Sequence, residues 1–164
     1  MIYEVEGDIL ETKAQAIAQG VAANDPMTQG LAGALHQRYP AMHKDFHHWC
    51  RQKHPKPGSA WAWSGAGGVR IINLITHDGG YEHGAKRRHA AASDVNHALR
   101  ALRKLIENEH IASVALPRLA TGVGGLDWSE VRPLIDNQLG DVDASIYIYR
   151  EHAPGKNAAA ARSS

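Results

Sequence analysis

The densest chemical signal in the chain is Thr121-Gly122-Val123-Gly124-Gly125, which follows Ala115-Leu116-Pro117-Arg118-Leu119-Ala120 and precedes Leu126-Asp127-Trp128. Glycines permit positive φ and carry no side chain, so successive backbone N–H groups can turn toward one anion. A helix opening just afterwards adds the positive end of its dipole, and the Thr121 hydroxyl can reach the same group. That chemistry is phosphate binding, although three glycines also suit an ordinary strand-to-helix connection. The segment is not the dinucleotide fingerprint, because its spacing is wrong and it lies far from the first strand; nor is it a Walker loop, since no Lys-Ser/Thr pair follows. A second turn, Asn24-Asp25-Pro26-Met27-Thr28-Gln29-Gly30-Leu31-Ala32-Gly33, can place Asn24 and Asp25 against a sugar hydroxyl. Its two glycines let the backbone pass close to a ligand; the plainer reading is an Asx-capped turn. In Gly7-Asp8-Ile9-Leu10, a carboxylate just past a strand end can accept a hydrogen bond from an exocyclic amine such as adenine's, though Gly-Asp is also a common turn pair.

Elements on both sides must position these turns. Met1–Glu6 alternates apolar and polar residues and reads as a strand; Ala16–Ala23 is a small-residue apolar run, read as a buried strand. Gly30–Tyr39 and Ala41–Lys53 have helical spacing, separated by Pro40, and Pro55-Lys56-Pro57-Gly58 breaks the second. Ala60–Ser64 and Val69–Thr76 read as strands joined at Gly65–Gly68, and His77–Arg88 as a loop. Ala91, Val95, Ala98, Leu102 and Ile106 form one apolar helical face. Ala112–Leu116 and Ser145–Tyr149 are further strands. Asp127 and Glu130 have the spacing of a capping box for a helix reaching Leu139, with a bend expected at Pro133. Alternating strands and helices predict a three-layer α/β/α domain with a mixed sheet. Ligands then collect at the carboxyl ends of the strands.

A chain of 164 residues suits one domain. We place it at residues 1–152, with the Ala- and Ser-rich residues 153–164 expected to be a disordered tail. A net charge of +1 gives no reason to expect duplex nucleic acid or an anionic membrane as the main partner. The eleven histidines are invisible to that sum and make the chain cationic below about pH 6. One cysteine, Cys50, excludes an intrachain disulfide and reads as a structural thiol suited to a reducing cytosol. Without an apolar run near the ~20 residues of a membrane span, and with Met1 leading straight into a strand pattern, a cytoplasmic protein is expected.

Taken in order, Gly7-Asp8-Ile9, Asn24 through Gly30-Leu31-Ala32, and Pro117-Arg118 running into Thr121-Gly122-Val123-Gly124-Gly125-Leu126 resemble the macrodomain family over roughly Met1–Arg150. The resemblance implies an ADP-ribose pocket on a six-stranded mixed sheet, with ADP-ribose or an ADP-ribosylated macromolecule as partner and no cofactor. It implies that Asp8 holds the adenine amine and Ile9 lines its slot. Asn24, Gln29, Gly30 and Leu31 would lie along the distal ribose and one phosphate. Residues Thr121, Gly122, Val123, Gly124, Gly125 and Leu126 would cover the diphosphate, with Tyr149 or Arg150 flanking the adenine.

The details are similar to the branch that removes ADP-ribose from glutamate or from thymidine in DNA, or that processes ADP-ribose 1″-phosphate. Asn73-Leu74-Ile75-Thr76 belongs to that likeness, but that branch places a catalytic lysine after the threonine and this chain has His77; some members also carry an aspartate where Gly124 stands. His77 can act as a general base near neutral pH; Asp25, Glu82 and His83 are further catalytic candidates. The expected activity is hydrolysis, with a non-catalytic reader of ADP-ribose as the alternative. Nucleic acid enters as a modified substrate, with Lys86-Arg87-Arg88 a candidate contact. His43 and His47 stand one turn apart without a His-Glu-x-x-His motif, so no metal site is expected. Trp61 and Trp63 share a strand face and read as packing residues.

Overall fold

The computed structural model of the chain describes residues 1–78, 90–122, 125–150 and the backbone of 161–163. Strands β1 (Ile2–Glu6), β2 (Ala16–Ala22), β3 (Ala60–Ser64), β4 (Arg70–His77), β5 (Ser113–Pro117), β6 (Ser145–Tyr149) and β7 (Ala161–Ser163) form one sheet in the order β3-β4-β2-β5-β6-β1-β7. The five central strands are parallel, and β3 and β7 are antiparallel edges. Parallel strands need helical crossovers, and these cover both faces. That is why β2 and β4 read as nearly continuous apolar runs: Ile71, Ile72, Leu74 and Ile75 are all within 1% of full burial.

Strand period sorts the side chains between two cores. Ala16, Ala18, Ile72 and Leu74 pack with helices α3 (Ala92–Asn108) and α4 (Trp128–Leu139). Ile17, Val21, Ile71 and Ile75 pack with α1 (Gly30–Arg38) and α2 (Pro40–Lys53). Met42, Phe46 and Cys50 recur every fourth residue along α2 and are fully buried; the two larger side chains each contribute roughly 1.5–3 kcal/mol by leaving water. Pro40 occupies the first turn of α2, where its missing N–H has no helical partner to lose. Of the apolar stripe expected on α3, Val95, Ala98, Leu102 and Ile106 are buried, joined by Leu99, while Ala91 is the exposed N-cap.

Three local expectations change. His77 ends β4 rather than opening a loop, because its backbone pairs with Ala22 across the sheet. The capping box does not form: Asp127 is the N-cap by position, but its side chain accepts no cap hydrogen bond. Three residues of the expected tail, Ala161–Ser163, form β7 against β1. An edge strand offers unpaired backbone groups to any passing segment, so pairing there needs no apolar pattern.

Candidate functional site

β2 pairs with β4 from Ala16 to Ala22 but with β5 only at Ala16–Val114 and Ile17–Ala115. Beyond those two rungs β2 and β5 separate toward their carboxyl ends, which is where an α/β sheet opens a crevice. A cavity of about 520 Å³ occupies that gap, within the range of small-molecule sites. Its lining comes from three places: Gln19 and Gly20 on β2 with Thr76 and His77 on β4, residues between Asp25 and Ala32, and the 117–122 segment after β5.

The floor contains polar groups set into apolar strands. Gln19 Nε2 donates to Asn73 Oδ1 at 2.9 Å, and both residues are buried. A Cβ on Gly20 would stand 3.2 Å from Thr76 Cγ2, so glycine here allows β2 and β4 side chains to close up beneath the cavity. A 3.0 Å hydrogen bond joins Thr76 Oγ1 and His77 Nδ1, fixing the imidazole at the cavity wall with 5% of its surface exposed. An imidazole held this way can accept or donate a proton.

The wall after β2 is tied down from several directions. Asp25 accepts hydrogen bonds from the Ala22 and Met27 N–H groups at 3.0 and 2.9 Å. The Asn24 N–H donates to Cys50 Sγ at 3.3 Å, and burial pushes the Cys50 thiol pKa up, keeping it protonated. His47 Nε2 donates to the Asp25 carbonyl at 2.8 Å, and His36 Nδ1 to the Met27 carbonyl at 3.0 Å. Between these rings sits His43, with centroids 3.7 Å from His36 and 4.1 Å from His47. Burial, then the neighbouring His47 and His36, lower the His43 pKa, against a hydrogen bond to the Pro26 backbone and the nearby Asp25. Asn24 and Met27 have positive φ, 57° and 52°. Non-glycine residues keep such conformations only where their surroundings over-determine them.

The opposite wall is bound mainly through its own backbone. Thr121 Oγ1 donates to the Arg118 carbonyl at 2.8 Å, Leu126 N–H to the Ala120 carbonyl at 3.0 Å, and Gly125 N–H to the Gly122 carbonyl at 3.1 Å. Ala120 also has positive φ, 61°. Arg118 brings a cation to this wall, its guanidinium 4.9 Å from the Trp128 ring centre and 3.6 Å from Glu4.

A second cluster stands at the carboxyl ends of β1 and β6. Asp8 caps the short 3-10 turn Ile9–Glu11 by accepting from the Leu10 N–H at 3.0 Å. Ile9 is 1% exposed, and Tyr149, opposite Val5 in register, is 4% exposed. Burial raises the Tyr149 phenol pKa, against a hydrogen bond with Thr12. Tyr149 is also the register partner of Pro117, a cavity residue, so the cluster adjoins the cavity across β5.

Of the residues expected from sequence, Asp25, Gln29, Gly30, Leu31, His77 and Gly122 line the cavity. Asp8, Ile9 and Tyr149 form the neighbouring cluster. Asn24, Thr121, Gly125 and Leu126 build the walls without lining the cavity. His83, Val123 and Gly124, with Glu82 and Lys86-Arg87-Arg88, lie outside the described residues. Asp25 spends its carboxylate on two backbone N–H groups, which is the turn role weighed against a catalytic one. The Thr121 hydroxyl is likewise engaged within its own loop. Gln19 was missed, although a lone polar residue in the apolar run Ala16–Ala23 is a signal that could have found it. Trp63 packs against Tyr39 and donates to Asp45 at 3.0 Å, while Trp61 packs on Phe46 and Trp49. Among the described residues, no group of three or more His, Cys, Asp or Glu is placed to hold a metal ion, and no helix is long and apolar enough to cross a membrane.

The split parallel sheet and its two glycine-bearing walls define an α/β ligand-binding domain. Residues 21–135 match the Macro domain model, and the chain belongs to the macrodomain family. It is 31% identical to a DNA ADP-ribosyl glycohydrolase of Mycobacterium tuberculosis over 156 residues, covering 90% of this chain and 42% of that protein. The chain thus spans about two fifths of the curated relatives it matches. The solved macrodomain of Mycobacterium tuberculosis DarG superposes with a TM-score of 0.75 at 31% identity, covering 90% of this chain and 97% of that one. Thermosipho africanus DarTG in complex with ADP-ribose shares the fold at a TM-score of 0.79 and 23% identity, covering 90% of this chain and 41% of that one.

Proposed function

We propose that the chain binds ADP-ribose in the cavity between β2 and β5 and hydrolyses its bond to a modified nucleic acid. The observation that carries this reading is the placement of His77, a buried imidazole bonded to Thr76, in the wall of a cavity framed by two anion-suited loops. In this reading the diphosphate lies against the 117–126 segment, with Arg118 supplying positive charge and Gly122 an unobstructed backbone. Asp8, Ile9 and Tyr149 take the adenine, and the Asn24–Leu31 wall takes the distal ribose. His77 accepts a proton from water as its oxygen attacks the anomeric carbon; the bond to the acceptor breaks, and that proton passes from His77 to the leaving acceptor. Such base catalysis contributes about 10²–10⁴-fold. The names of the relatives favour DNA as the acceptor; ADP-ribose 1″-phosphate is a further candidate substrate, and the reducing cytoplasm suits the free buried Cys50.

The reader alternative rests on one observation: histidine stands where the hydrolase-like branch carries lysine. Calorimetry with ADP-ribose tests the cavity, and absence of binding at millimolar ligand rejects it. Incubation with an oligonucleotide carrying ADP-ribosylated thymidine tests turnover, beside substrates modified on glutamate or serine and ADP-ribose 1″-phosphate. His77→Ala is expected to slow turnover by about 10²-fold or more while leaving ADP-ribose affinity within a few-fold. Binding with every substrate left intact establishes the reader.

A further inference from the structure

We propose that the exposed cationic face made by the end of α2 and the turn after it, centred on Arg51, Lys53 and Lys56, docks the phosphodiester backbone of a single-stranded nucleic acid beside the cavity. As the path of an acceptor strand it rests on the hydrolase reading above; the charge and geometry stand by themselves.

The first observation is position. α2 runs alongside β3 and β4 toward their cavity end: Asp45 meets Trp63, which is level with Ile71, and Trp49 meets Trp61, which is level with Asn73. The next residue, Cys50, accepts a hydrogen bond from Asn24, the neighbour of the cavity residue Asp25. His54, at φ 45°, ends the helix with its N–H on the Cys50 carbonyl at 2.8 Å. The chain then returns to β4, where Gly58 N–H donates to the Ile75 carbonyl at 2.7 Å, one residue before Thr76. Residues 51–57 are therefore anchored at both ends next to residues that line the cavity.

The second observation is charge. Residues 44–56 contain Lys44, Arg51, Lys53 and Lys56 against Asp45 alone, a local net of +3 in a chain whose total is +1. Several other cations are paired: Arg70 with Glu109, Arg103 with Asp141, Arg132 with Glu4 and Asp136, and Arg150 with Glu6. Arg51, Lys53 and Lys56 are exposed and join no ion pair with any described residue. A solvated helix face usually mixes both signs; three unpaired cations at the rim of a ligand cavity form a surface for a polyanion.

The third observation selects the polyanion. Trp49 and Trp61 are half-buried on this same edge, their rings 6.1 Å apart and inclined at 29°, and Lys53 stands one turn after Trp49 on α2. Cations beside partly exposed indoles suit a single strand, whose phosphates meet the cations and whose bases stack on aromatic rings. An acidic peptide would use the charge but not the rings.

The test compares wild type with the triple variant Arg51→Glu/Lys53→Glu/Lys56→Glu, using a fluorescent oligothymidylate of about twelve nucleotides, a length matched to single-strand sites. Binding by the variant is expected to weaken at least tenfold at low salt. Its slope of log affinity against log salt should shrink by about 2, from three lost phosphate contacts at roughly 0.7 each. The neutral triple variant with glutamine at the three positions should fall between, which keeps the comparison valid if charge reversal impairs folding. Equal oligonucleotide affinity in wild type and variants, no oligonucleotide binding by wild type at low salt, or equally tight binding of an oligoglutamate of the same charge each overturns the proposal. Calorimetry with ADP-ribose runs in parallel and should be unchanged in the variants. Wild type that binds the oligonucleotide but not ADP-ribose would refute the hydrolase reading and leave the docking face standing.

Discussion

Residues 24–29 and residues 117–126 both leave the carboxyl end of a parallel strand and both wall the cavity, yet different forces hold them. The first wall is fixed by side chains from elsewhere: the Cys50 thiol and the His47 imidazole reach it from α2, and the His36 imidazole from α1. Asp25 adds two hydrogen bonds, and Met27, in a strained backbone conformation, is 1% exposed. The second wall is anchored at its start by buried Leu119 and by Arg118 beside Glu4, but beyond that it is held by hydrogen bonds within itself, and its described residues from Thr121 to Leu126 are half-buried or exposed. A wall held by other elements is shaped before ligand arrives, whereas a wall held by its own turns can adjust when an anion meets its N–H groups. The first is suited to fixing a ribose in one orientation and the second to closing on a diphosphate.

Breaking the first wall should have the largest effect. Asp25→Ala strands two N–H groups, one of them on the positive-φ Met27, and is expected to lower unfolding free energy by about 2–5 kcal/mol in urea titration. It should also weaken ADP-ribose binding at least tenfold, because the ribose wall loses its shape. A loss below about 1 kcal/mol would mean that the histidines alone hold the loop. In the second wall, Thr121→Val removes the 2.8 Å bond to the Arg118 carbonyl and should cost about 1 kcal/mol or less. If Thr121→Val were the more damaging of the two, the contrast would be reversed.

The smallest effect concerns pH. Burial, then His47 and His36, hold the His43 pKa below its usual 6.5. As pH falls through 6.5 the unfolded chain takes up a proton that the folded protein refuses. The contribution to stability is therefore full above 6.5, declines below it, and flattens beneath the lowered folded value. Unfolding midpoints between about pH 5 and 7.5 should drop more steeply in wild type than in His43→Gln. Parallel curves would show that the stacked imidazoles do not couple protonation to the fold.

Much of this arrangement could be read along the chain. Apolar period alone located β2, β4 and the buried stripe of α3, because burial on two sheet faces and on one helix face leaves distinct spacings. Gly30 and Gly122 stand in turns whose glycines suit a ligand, Gln29 and Leu31 were implied by the family resemblance, and all four line the cavity. What tertiary structure decided was every feature built from pairings distant in sequence. Gln19 faces Asn73 across 54 positions, and neither local spacing nor polarity names the partner. Helical spacing puts His43 and His47 one turn apart, but only the crossing of α1 and α2 stacks them with His36 against residues 25–27. His77 follows an apolar run and precedes a glycine-rich stretch, so its pattern ends in a loop, but pairing with Ala22 keeps it in the sheet and at the cavity wall. The +1 net charge hid a local +3, since charge sums over a chain and recognition acts over a face. The sequence by itself determined the elements and the turns that can meet an anion. The separation of β2 from β5 after two rungs, a non-local packing outcome, decided where the cavity lies and which side chains share it.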